Sequence, residues 1–294
     1  MSQEILEVRP FPQPQQAIEC MLLPLQTLFN HQRYPMDTPQ RLRSYLIVLF
    51  TKGKGWHSID FASYPYQEKT LLFVAENQVH QWEINPENDA FVLAFSKEFL
   101  YKSPQDREVL ESYRIFDYSL QSPILSLDDE DYQRFTALFQ ELKHEFDRKE
   151  VDAFKHDIFR NLLRTILLLA ERRKRGEAQP TVLAQYGEFA RFREQVEVDF
   201  SRTRNVQDYA TTLGYSPKKL NQVTQVTVSK NAKLFVDERV ILEIKRLLIH
   251  TNLSIKEIAD RTGFDEPTNL VKFFKRYTRQ TPLAFRGQLV LSRT

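Results

Sequence analysis

The spacing of apolar residues changes along this 294-residue chain and divides it into three parts. Through about residue 125, short apolar runs are separated by turn-forming segments such as Gly53–Gly55, and this spacing predicts β-strands. Strands this short and this closely spaced favour a small antiparallel barrel or jelly roll. The predicted strands are Leu42–Phe50, Trp56–Ile59, Thr70–Val74, Gln81–Ile84 and Ala90–Phe95.

The middle part has apolar residues every three or four positions, which predicts two amphipathic helices. The first follows the acidic run Asp128–Asp131, whose charge suits a helix amino terminus. The polar run Glu171–Glu177, followed by Pro180, predicts a solvated linker near the boundary. The two apolar stripes are Tyr132, Phe135, Leu138, Phe139, Leu142 and Phe146, and then Val151, Phe154, Ile158, Leu162, Ile166 and Leu169.

An eleven-residue signal occurs twice in the last third, at Asn205–Tyr215 and at Ser254–Phe264. Each copy has a helix-capping residue, an alanine small enough for a close helix crossing, a glycine four residues later, and then an aromatic residue. The chain has only seven glycines, so two of them at matched positions, Gly214 and Gly263, argue against coincidence. The pattern predicts two helix-turn-helix units. Two ordinary helical hairpins in an all-α domain are the alternative.

The segment between the two units, Leu234–Ile249, has helical apolar spacing without Gly or Pro and predicts a linker helix. About sixteen residues span roughly 24 Å as a helix. With its flanking motifs, such a helix suits two recognition helices roughly 34 Å apart, which is one turn of duplex DNA. The run Val223–Val228 is β-branched and uncharged, so the first recognition helix is expected to be short.

The second helix of each unit begins with polar side chains that suit base edges, and basic residues follow toward the phosphates. Asn and Gln pair with adenine in the major groove, whereas Lys favours guanine. Lys275 and Arg276 lie further along and are expected to position the helix on phosphate. The candidate DNA contacts are Ser216, Lys218, Lys219, Asn221 and Gln222 in the first unit, and Thr268, Asn269, Lys272, Lys275 and Arg276 in the second.

The last hundred residues resemble the AraC/XylS family of bacterial transcription regulators. Three positions depart from that pattern: Arg279 and Ser229 stand where glycine is usual, and Gln225 stands where a basic residue is usual. The resemblance covers about residues 190–290 and implies sequence-specific binding of double-stranded DNA. It rests on Glu238–Leu248, Ser254–Ala259, Gly263–Phe264, Phe274–Arg276, Thr281–Pro282 and Phe285–Arg286.

The N-terminal strands resemble, more loosely, the cupin-like sensor domain of the same family. The likeness lies in the order of strand, turn, Trp56–Asp60, strand and Gln78–His80, although Ala75–Asn77 stands where the family often has Pro and Gly. The resemblance implies a small-molecule effector and a homodimer formed through the helices after the barrel. For an activator, it also implies contact with RNA polymerase. Alternatively, the two apolar stripes only cover the barrel or each other.

Four side chains of the predicted barrel are candidates for effector binding: Trp56, His57, His80 and Trp82. Large aromatic rings beside imidazoles suit a pocket that is mostly apolar and has a few orienting polar groups. The alternative is that these side chains simply fill the barrel.

The histidine pattern argues against metal chemistry. Metal-dependent cupins need two or three histidines and a carboxylate, typically beginning with a His-x-His pair. Here His57 is followed by Ser58 and Ile59, and His80 with Glu83 offers too few ligands. The sequence also contains neither a glycine-rich phosphate loop nor a serine nucleophile elbow. We therefore expect no catalysis, metal or cofactor. A cupin-type metal-binding protein or enzyme with an appended DNA-binding domain is the alternative.

Charge divides the chain at the same boundary. Residues 191–294 hold 19 Lys/Arg and 11 Asp/Glu, a net of +8, whereas the rest holds 22 and 28, a net of −6. This asymmetry indicates a polyanionic partner for the C-terminal part alone. The single cysteine, Cys20, excludes a disulfide framework. Neither a membrane-spanning apolar run nor a signal peptide occurs, so a cytoplasmic protein that binds no membrane is expected.

Together these patterns predict an α+β protein. A cupin-like β-barrel with flanking helices occupies residues 1–177, and a linker occupies 178–190. An all-α domain with two helix-turn-helix motifs joined by a linker helix occupies 191–294.

Overall fold

A computed structural model describes residues 20–30, 38–101, 114–117, 119, 122–149, 152–176 and 180–291. Val151 of the predicted second stripe, and residues 177–179 of the predicted linker region, lie outside these ranges. Contacts divide the chain into two units, Met1–Glu177 and Ala178–Thr294.

Two antiparallel sheets form the first unit. The strands are β1 Cys20–Pro24, β2 Gln40–Arg41, β3 Tyr45–Lys52, β4 Lys54–Ile59, β5 Ala62–Gln67, β6 Thr70–Val74, β7 Val79–Trp82, β8 Asp89–Phe95 and β9 Ile124–Ser126. One sheet has the strand order β1-β8-β3-β6-β9 and the other has the order β2-β7-β4-β5.

The central strand β3 is apolar on both faces because both faces are covered. Leu46, Val48 and Phe50 belong to a core shared with side chains of the four-stranded sheet. Ile47 and Leu49 point to the opposite face and join a second core with the helices that follow. The period-two alternation of a strand therefore serves two cores at once. The predicted cupin-like architecture, with antiparallel strands in a barrel or jelly roll, is confirmed.

The patterning located most of the long strands and missed weaker ones. The predicted strand Gln81–Ile84 begins two residues earlier, as Val79–Trp82. Strand β5 was missed because Pro65 interrupts its pattern; it lies at the edge of its sheet, where a proline is tolerated. The predicted Gly53–Gly55 turn is confined to Gly53, which has a φ of 87°.

Two long helices cover the outer face of the five-stranded sheet. The first predicted stripe supplies Phe135 and Phe139 to the second core and so covers the sheet, as in the alternative stated for it. The second predicted stripe is only partly right. Its Ile166 is buried in the core and Leu162 packs against it, but Phe159 and Leu163, which the stripe missed, are also buried there, whereas Phe154 and Ile158 are exposed. The helices of the first unit are α1 Leu25–Phe29, α2 Lys97–Leu100, α3 Asp129–Asp147 and α4 Lys155–Gly176.

The expectation of a solvated linker at Glu171–Glu177 is wrong for its described residues. Helix α4 continues to Gly176, and both Glu171 and Lys174 are buried. Glu171 Oε2 accepts backbone N–H bonds from Arg114 at 2.7 Å and Ile115 at 3.2 Å. The Lys174 Nζ donates to the carbonyl of Ser122 at 2.8 Å. These two charged side chains therefore bind backbone groups of distant segments, which a charge count does not reveal.

The described part of the second unit is helical. Residues 180–190, predicted as linker, are helical instead. They belong to helix α5, Pro180–Asp199, whose Tyr186 and Phe189 are buried against neighbouring aromatic rings. The predicted linker helix is confirmed as α8, Ala232–His250, and is slightly longer than expected. The helices are α5 Pro180–Asp199, α6 Val206–Leu213, α7 Pro217–Val228, α8 Ala232–His250, α9 Ile255–Arg261, α10 Pro267–Thr278 and α11 Pro282–Leu291.

The expectation of a short first recognition helix is wrong. Helix α7 has 12 residues, the same number as α10. Val223 and Thr224 are fully buried, and the Thr224 hydroxyl donates to the Leu220 carbonyl at 2.8 Å. Tertiary packing of this face outweighs the low helix propensity of its β-branched residues.

Candidate nucleic-acid interface

The first helix-turn-helix unit is built as its sequence predicts. The Asn205 side chain accepts from the Gln207 N–H at 3.1 Å and caps α6. Gly214 ends that helix in the left-handed region, with a φ of 68°. Ala210 is buried at the crossing, whereas Tyr215 is only half-buried. Ser216 then caps α7 by accepting from the Lys219 N–H at 3.1 Å.

The second unit repeats this construction with a stronger first cap. Ser254 Oγ accepts from the Glu257 N–H at 3.2 Å, and the Glu257 carboxylate accepts from the Ser254 N–H at 2.7 Å. The hydrogen bonds that the Ser254 N–H and hydroxyl donate to the Glu257 carboxylate lower the pKa of Glu257. Gly263 has a φ of 72°, and the ring of Phe264 is buried. Helix α10 starts at Pro267 without a side-chain cap, unlike α7.

Within the C-terminal domain, the two helix-turn-helix units contact each other directly. The Arg204 guanidinium lies 3.9 Å from the centroid of the Phe264 ring and donates to the Gly263 carbonyl at 3.1 Å. A Cβ on Gly263 would lie 1.7 Å from the Ser201 carbonyl oxygen, so only glycine permits this approach. From the sequence, Gly263 was expected only to form the turn, and Arg204 was not among the expected functional residues.

Corresponding faces of the two recognition helices are exposed to solvent. Each helix begins with proline and has 12 residues, so position 222 of α7 corresponds to position 272 of α10. Gln222 and Lys272 are both exposed, and neither has a side-chain hydrogen bond or ion pair among the described residues. The same holds for Lys218 and Thr268, one turn earlier. The opposite faces bury Leu220, Val223, Thr224, Leu270 and Phe274.

Three of the predicted DNA contacts are engaged within the protein, and one of them is Ser216, whose hydroxyl caps α7. Asn221 Oδ1 accepts from the backbone N–H of Ala232 at 2.9 Å, at the start of α8. The Lys219 ammonium pairs with Glu188 at 2.7 Å. The remaining candidates on α10, Asn269, Lys275 and Arg276, are exposed.

Both recognition helices end in the left-handed region without glycine. Ser229 caps α7 with a φ of 56°, and Arg279 caps α10 with a φ of 65°. Glycine adopts this backbone with the least strain, which explains why the family pattern has it at both positions. Asn77, in the other segment that departs from the family pattern, likewise has a positive φ, of 66°.

Models of two protein families match the chain, one in its N-terminal domain and the other in its C-terminal domain. The AraC-like ligand-binding domain matches residues 27–163, and the helix-turn-helix domain matches residues 209–288. The chain belongs to the AraC family of transcriptional regulators. It is a DNA-binding regulator with an N-terminal ligand-binding domain.

Similar proteins are regulators as well. An uncharacterized HTH-type transcriptional regulator of Bacillus subtilis, YfiF, is 24% identical over 227 residues, which are 75% of this chain and 69% of that protein. The HTH-type transcriptional activator RhaR of Cronobacter sakazakii is 22% identical over 90% of this chain and 93% of its own. The solved structure of ToxT from Vibrio cholerae aligns over 92% of this chain and 98% of its own, with 13% identity and a TM-score of 0.43.

In the ligand-binding domain of this AraC-type regulator, three of the four candidate effector residues converge. His57 Nε2 and His80 Nδ1 lie 3.3 Å apart, and the Trp82 ring packs edge-on against His57 with centroids 4.5 Å apart. All three are buried. Trp56 lies on the opposite face of β4 and is 53% exposed, because neighbouring residues of a strand point to opposite sides.

Burial keeps the two imidazoles neutral. It lowers the pKa of His80 to about 4 and the pKa of His57 well below its ordinary value, with the neighbouring His80 lowering the latter further. His57 Nδ1, His80 Nε2 and Trp82 Nε1 are buried without hydrogen-bond partners. Three such nitrogens in one place are unusual, because buried polar atoms are nearly always paired.

The enclosed cavities found in this domain are small. One, of about 20 Å³, is lined by Tyr64, Phe73 and Phe116 among others, and another, of about 10 Å³, is lined by Cys20 and Phe99 among others. Such volumes hold about one water molecule. Within the described residues, no cluster of three or more potential metal ligands occurs, and no helix is long and apolar enough to cross a membrane.

Proposed function

We propose that one subunit of this regulator reads two successive major-groove segments of a specific DNA site, one with α7 and one with α10. The observation that carries this proposal is a shared groove. Asn221 of α7 and Asn269 and Phe273 of α10 line the same open cavity. Both reading helices therefore border one solvent-filled face, which suits a duplex lying across both.

Gln222 and Lys272 are the residues we propose as the main readers of base edges. They occupy equivalent positions, and their side chains are free to reach outward. Gln forms two hydrogen bonds with adenine, and Lys donates to guanine. Asn221 is a weaker candidate, because a bidentate pair with adenine would compete with its bond to the α8 amino terminus.

Lys218, Lys275 and Arg276 are proposed as phosphate contacts. All three are exposed, and none forms an ion pair among the described residues. Lys219 can join them only by giving up its pair with Glu188. These contacts position the protein without selecting bases.

Selection of binding sites from random duplexes by the full-length chain tests the proposal. The expected result is a motif whose conserved elements occur in pairs, with about ten base pairs between the two centres of a pair. The variant Lys272→Ala should lose preference in one element of each pair only, whereas Lys256→Ala, which changes an exposed lysine on α9, should leave both elements unchanged. A motif with a single conserved element would contradict reading by both helices.

We also propose that the N-terminal domain responds to a small-molecule effector. The unpaired nitrogens of His57, His80 and Trp82 support a polar ligand, whereas their burial supports the alternative that they fill the domain. A thermal-shift screen with His57→Phe as the comparison distinguishes the two. A compound that raises the Tm of the wild type but not of the variant supports the effector site at these residues.

A homodimer is proposed through the exposed face of α4. Ile158 is 39% exposed and Leu168 is 54% exposed, with Phe154, at 68%, just before the helix on the same side. Ile166, which belongs to the predicted second stripe, is fully buried and so is not part of this exposed face. Sedimentation of Ile158→Glu/Leu168→Glu should show a monomer that keeps its helical content. Unchanged sedimentation of the folded variant would remove α4 as the interface.

We propose that the protein is cytoplasmic and has no enzyme activity. Its curated relatives are transcriptional regulators, and if it activates transcription, we expect contact with RNA polymerase. A cupin-type metal-binding protein or enzyme is the alternative. Elemental analysis of the purified chain separates the two, because stoichiometric iron, manganese or zinc would favour the alternative.

A further inference from the structure

A wide groove of about 1200 Å³ lies between the two recognition helices. Four cationic side chains line it: Arg204 from the loop before α6, Lys233 from α8, Arg276 from α10 and Arg279 from the end of α10. Among the residues that line it, Asp237 is the one carboxylate. The groove is therefore strongly basic.

The single carboxylate is already neutralised. One oxygen of Asp237 pairs with Lys233, and the other accepts a hydrogen bond of 2.5 Å from the Tyr277 hydroxyl. Burial, together with this bond, raises the pKa of Tyr277 to about 12, so the phenol stays protonated and uncharged. Arg276 and Arg279 are exposed and have no carboxylate partner among the described residues. Their charges are thus available to a ligand.

Arg279 also holds a strained backbone conformation. Its φ of 65° is one that glycine adopts freely and that a side chain disfavours. Its own N–H donates to the Lys275 carbonyl at 2.9 Å, a bond that glycine would make equally well. The hydrogen bond of this turn therefore does not require the arginine side chain, and strain of this kind tends to persist where a function needs it.

We infer that this groove binds the phosphodiester backbone of the DNA between the two major-groove segments, with Arg279 and Arg276 as the phosphate contacts. The inference rests on the proposed function, because it is the two reading helices that bring the spacer DNA to the groove. A guanidinium suits this role, since its planar fork matches two phosphate oxygens. The assignment gives Arg279 a role that the family's usual glycine lacks.

The equivalent position in the first helix-turn-helix unit provides an internal comparison. Ser229 has nearly the same backbone, with a φ of 56°, but carries no charge and does not line the groove. Replacing either residue with glycine should relieve similar strain. Only the change at Arg279 removes a cation from the groove.

The test compares Arg279→Gly, Arg279→Lys and Ser229→Gly in the full-length chain. Each protein is titrated, at several salt concentrations, with the selected DNA site and with a non-specific duplex. The Tm of each is measured in parallel. For Arg279→Gly we expect a higher Tm together with a log–log salt slope lower by about one unit on both duplexes. This corresponds to roughly tenfold weaker binding at about 0.1 M salt.

Arg279→Lys should keep the slope, and Ser229→Gly should raise the Tm without changing DNA binding. Ethylation of spacer phosphates should interfere with the wild type and lose its effect on Arg279→Gly. An unchanged slope for Arg279→Gly would overturn the inference while leaving the reading helices intact. A lower Tm with unchanged binding would also overturn it, because Arg279 would then serve the helix dipole. If the wild type bound no duplex, both the proposed function and this inference would fail.

Discussion

Substituting alanine for the two turn glycines tests how the helix-turn-helix units are docked. Gly214 and Gly263 occupy equivalent positions with φ values of 68° and 72°, so alanine pays the same left-handed strain at each, about 1–2 kcal/mol. Their surroundings differ. The added Cβ meets nothing within 4 Å at Gly214, but at Gly263 it would lie 1.7 Å from the Ser201 carbonyl oxygen.

The extra destabilisation at Gly263 comes from moving backbone. The Ser201 carbonyl must retreat from 1.7 Å to at least 3.0 Å, and no flexible side chain can give way instead. This movement strains the loop that places Arg204 on Phe264. Overpacking of this kind costs about 1–3 kcal/mol. We therefore expect Gly263→Ala to lower the free energy of unfolding of the C-terminal domain by about 2–5 kcal/mol, whereas Gly214→Ala should lower it by about 1–2 kcal/mol.

Hydrogen exchange in urea, followed on peptides from α8 and α10, measures this difference in the full-length chain. Both tryptophans, Trp56 and Trp82, lie in the first unit, so their fluorescence serves as the control that this unit is unchanged. Gly263→Ala should also weaken binding to the two-element DNA site. Equal destabilisation by the two substitutions would refute the docking of Gly263 on Ser201.

The other predictions concern DNA contacts and pH. Lys272→Ala should reduce the binding free energy for the specific site by roughly 1–3 kcal/mol and relax selectivity at one base position. Lys275→Ala should weaken binding to all sequences alike and lower the log–log salt slope by about one unit. Titrations of specific and non-specific duplexes at several salt concentrations test both, and the reverse pattern would exchange the two roles. Because the folded state keeps His80 neutral down to about pH 4 while the unfolded chain protonates it near 6.5, stability should fall as the pH drops through that window, by about 2 kcal/mol at pH 5. Urea denaturation followed by tryptophan fluorescence should show this dependence weakened in His80→Gln, and an equally steep dependence in the variant would contradict it.

Local signals in the sequence were enough to predict the two helix-turn-helix motifs of the C-terminal domain. Caps and turn glycines act within a few residues, so Asn205, Ser254, Gly214 and Gly263 identified both helix-turn-helix motifs correctly. The length of α7 was missed because it depends on burial of Val223, a contact distant in sequence.

Contacts between distant segments explain the remaining errors. Glu171 looked solvated because its partners, the N–H groups of Arg114 and Ile115, are more than fifty positions away. Trp56 and His57 cannot both face inward from one strand, which the period-two alternation of a strand would have indicated. The contact of Arg204 and the groove at Arg279 form only when the two helix-turn-helix units pack together, so the sequence did not predict them. The departure of Arg279 from the family's glycine was visible in the sequence.

The most direct test of reading by two helices of one subunit is the affinity for a selected site whose two elements are moved apart. Inserting half a helical turn, about five base pairs, places them on opposite faces of the duplex. The Ile158→Glu/Leu168→Glu variant is the protein to use, so that a second subunit does not supply the missing helix. We predict that its affinity falls to that for one element alone. An affinity unchanged by the insertion would contradict the simultaneous use of α7 and α10.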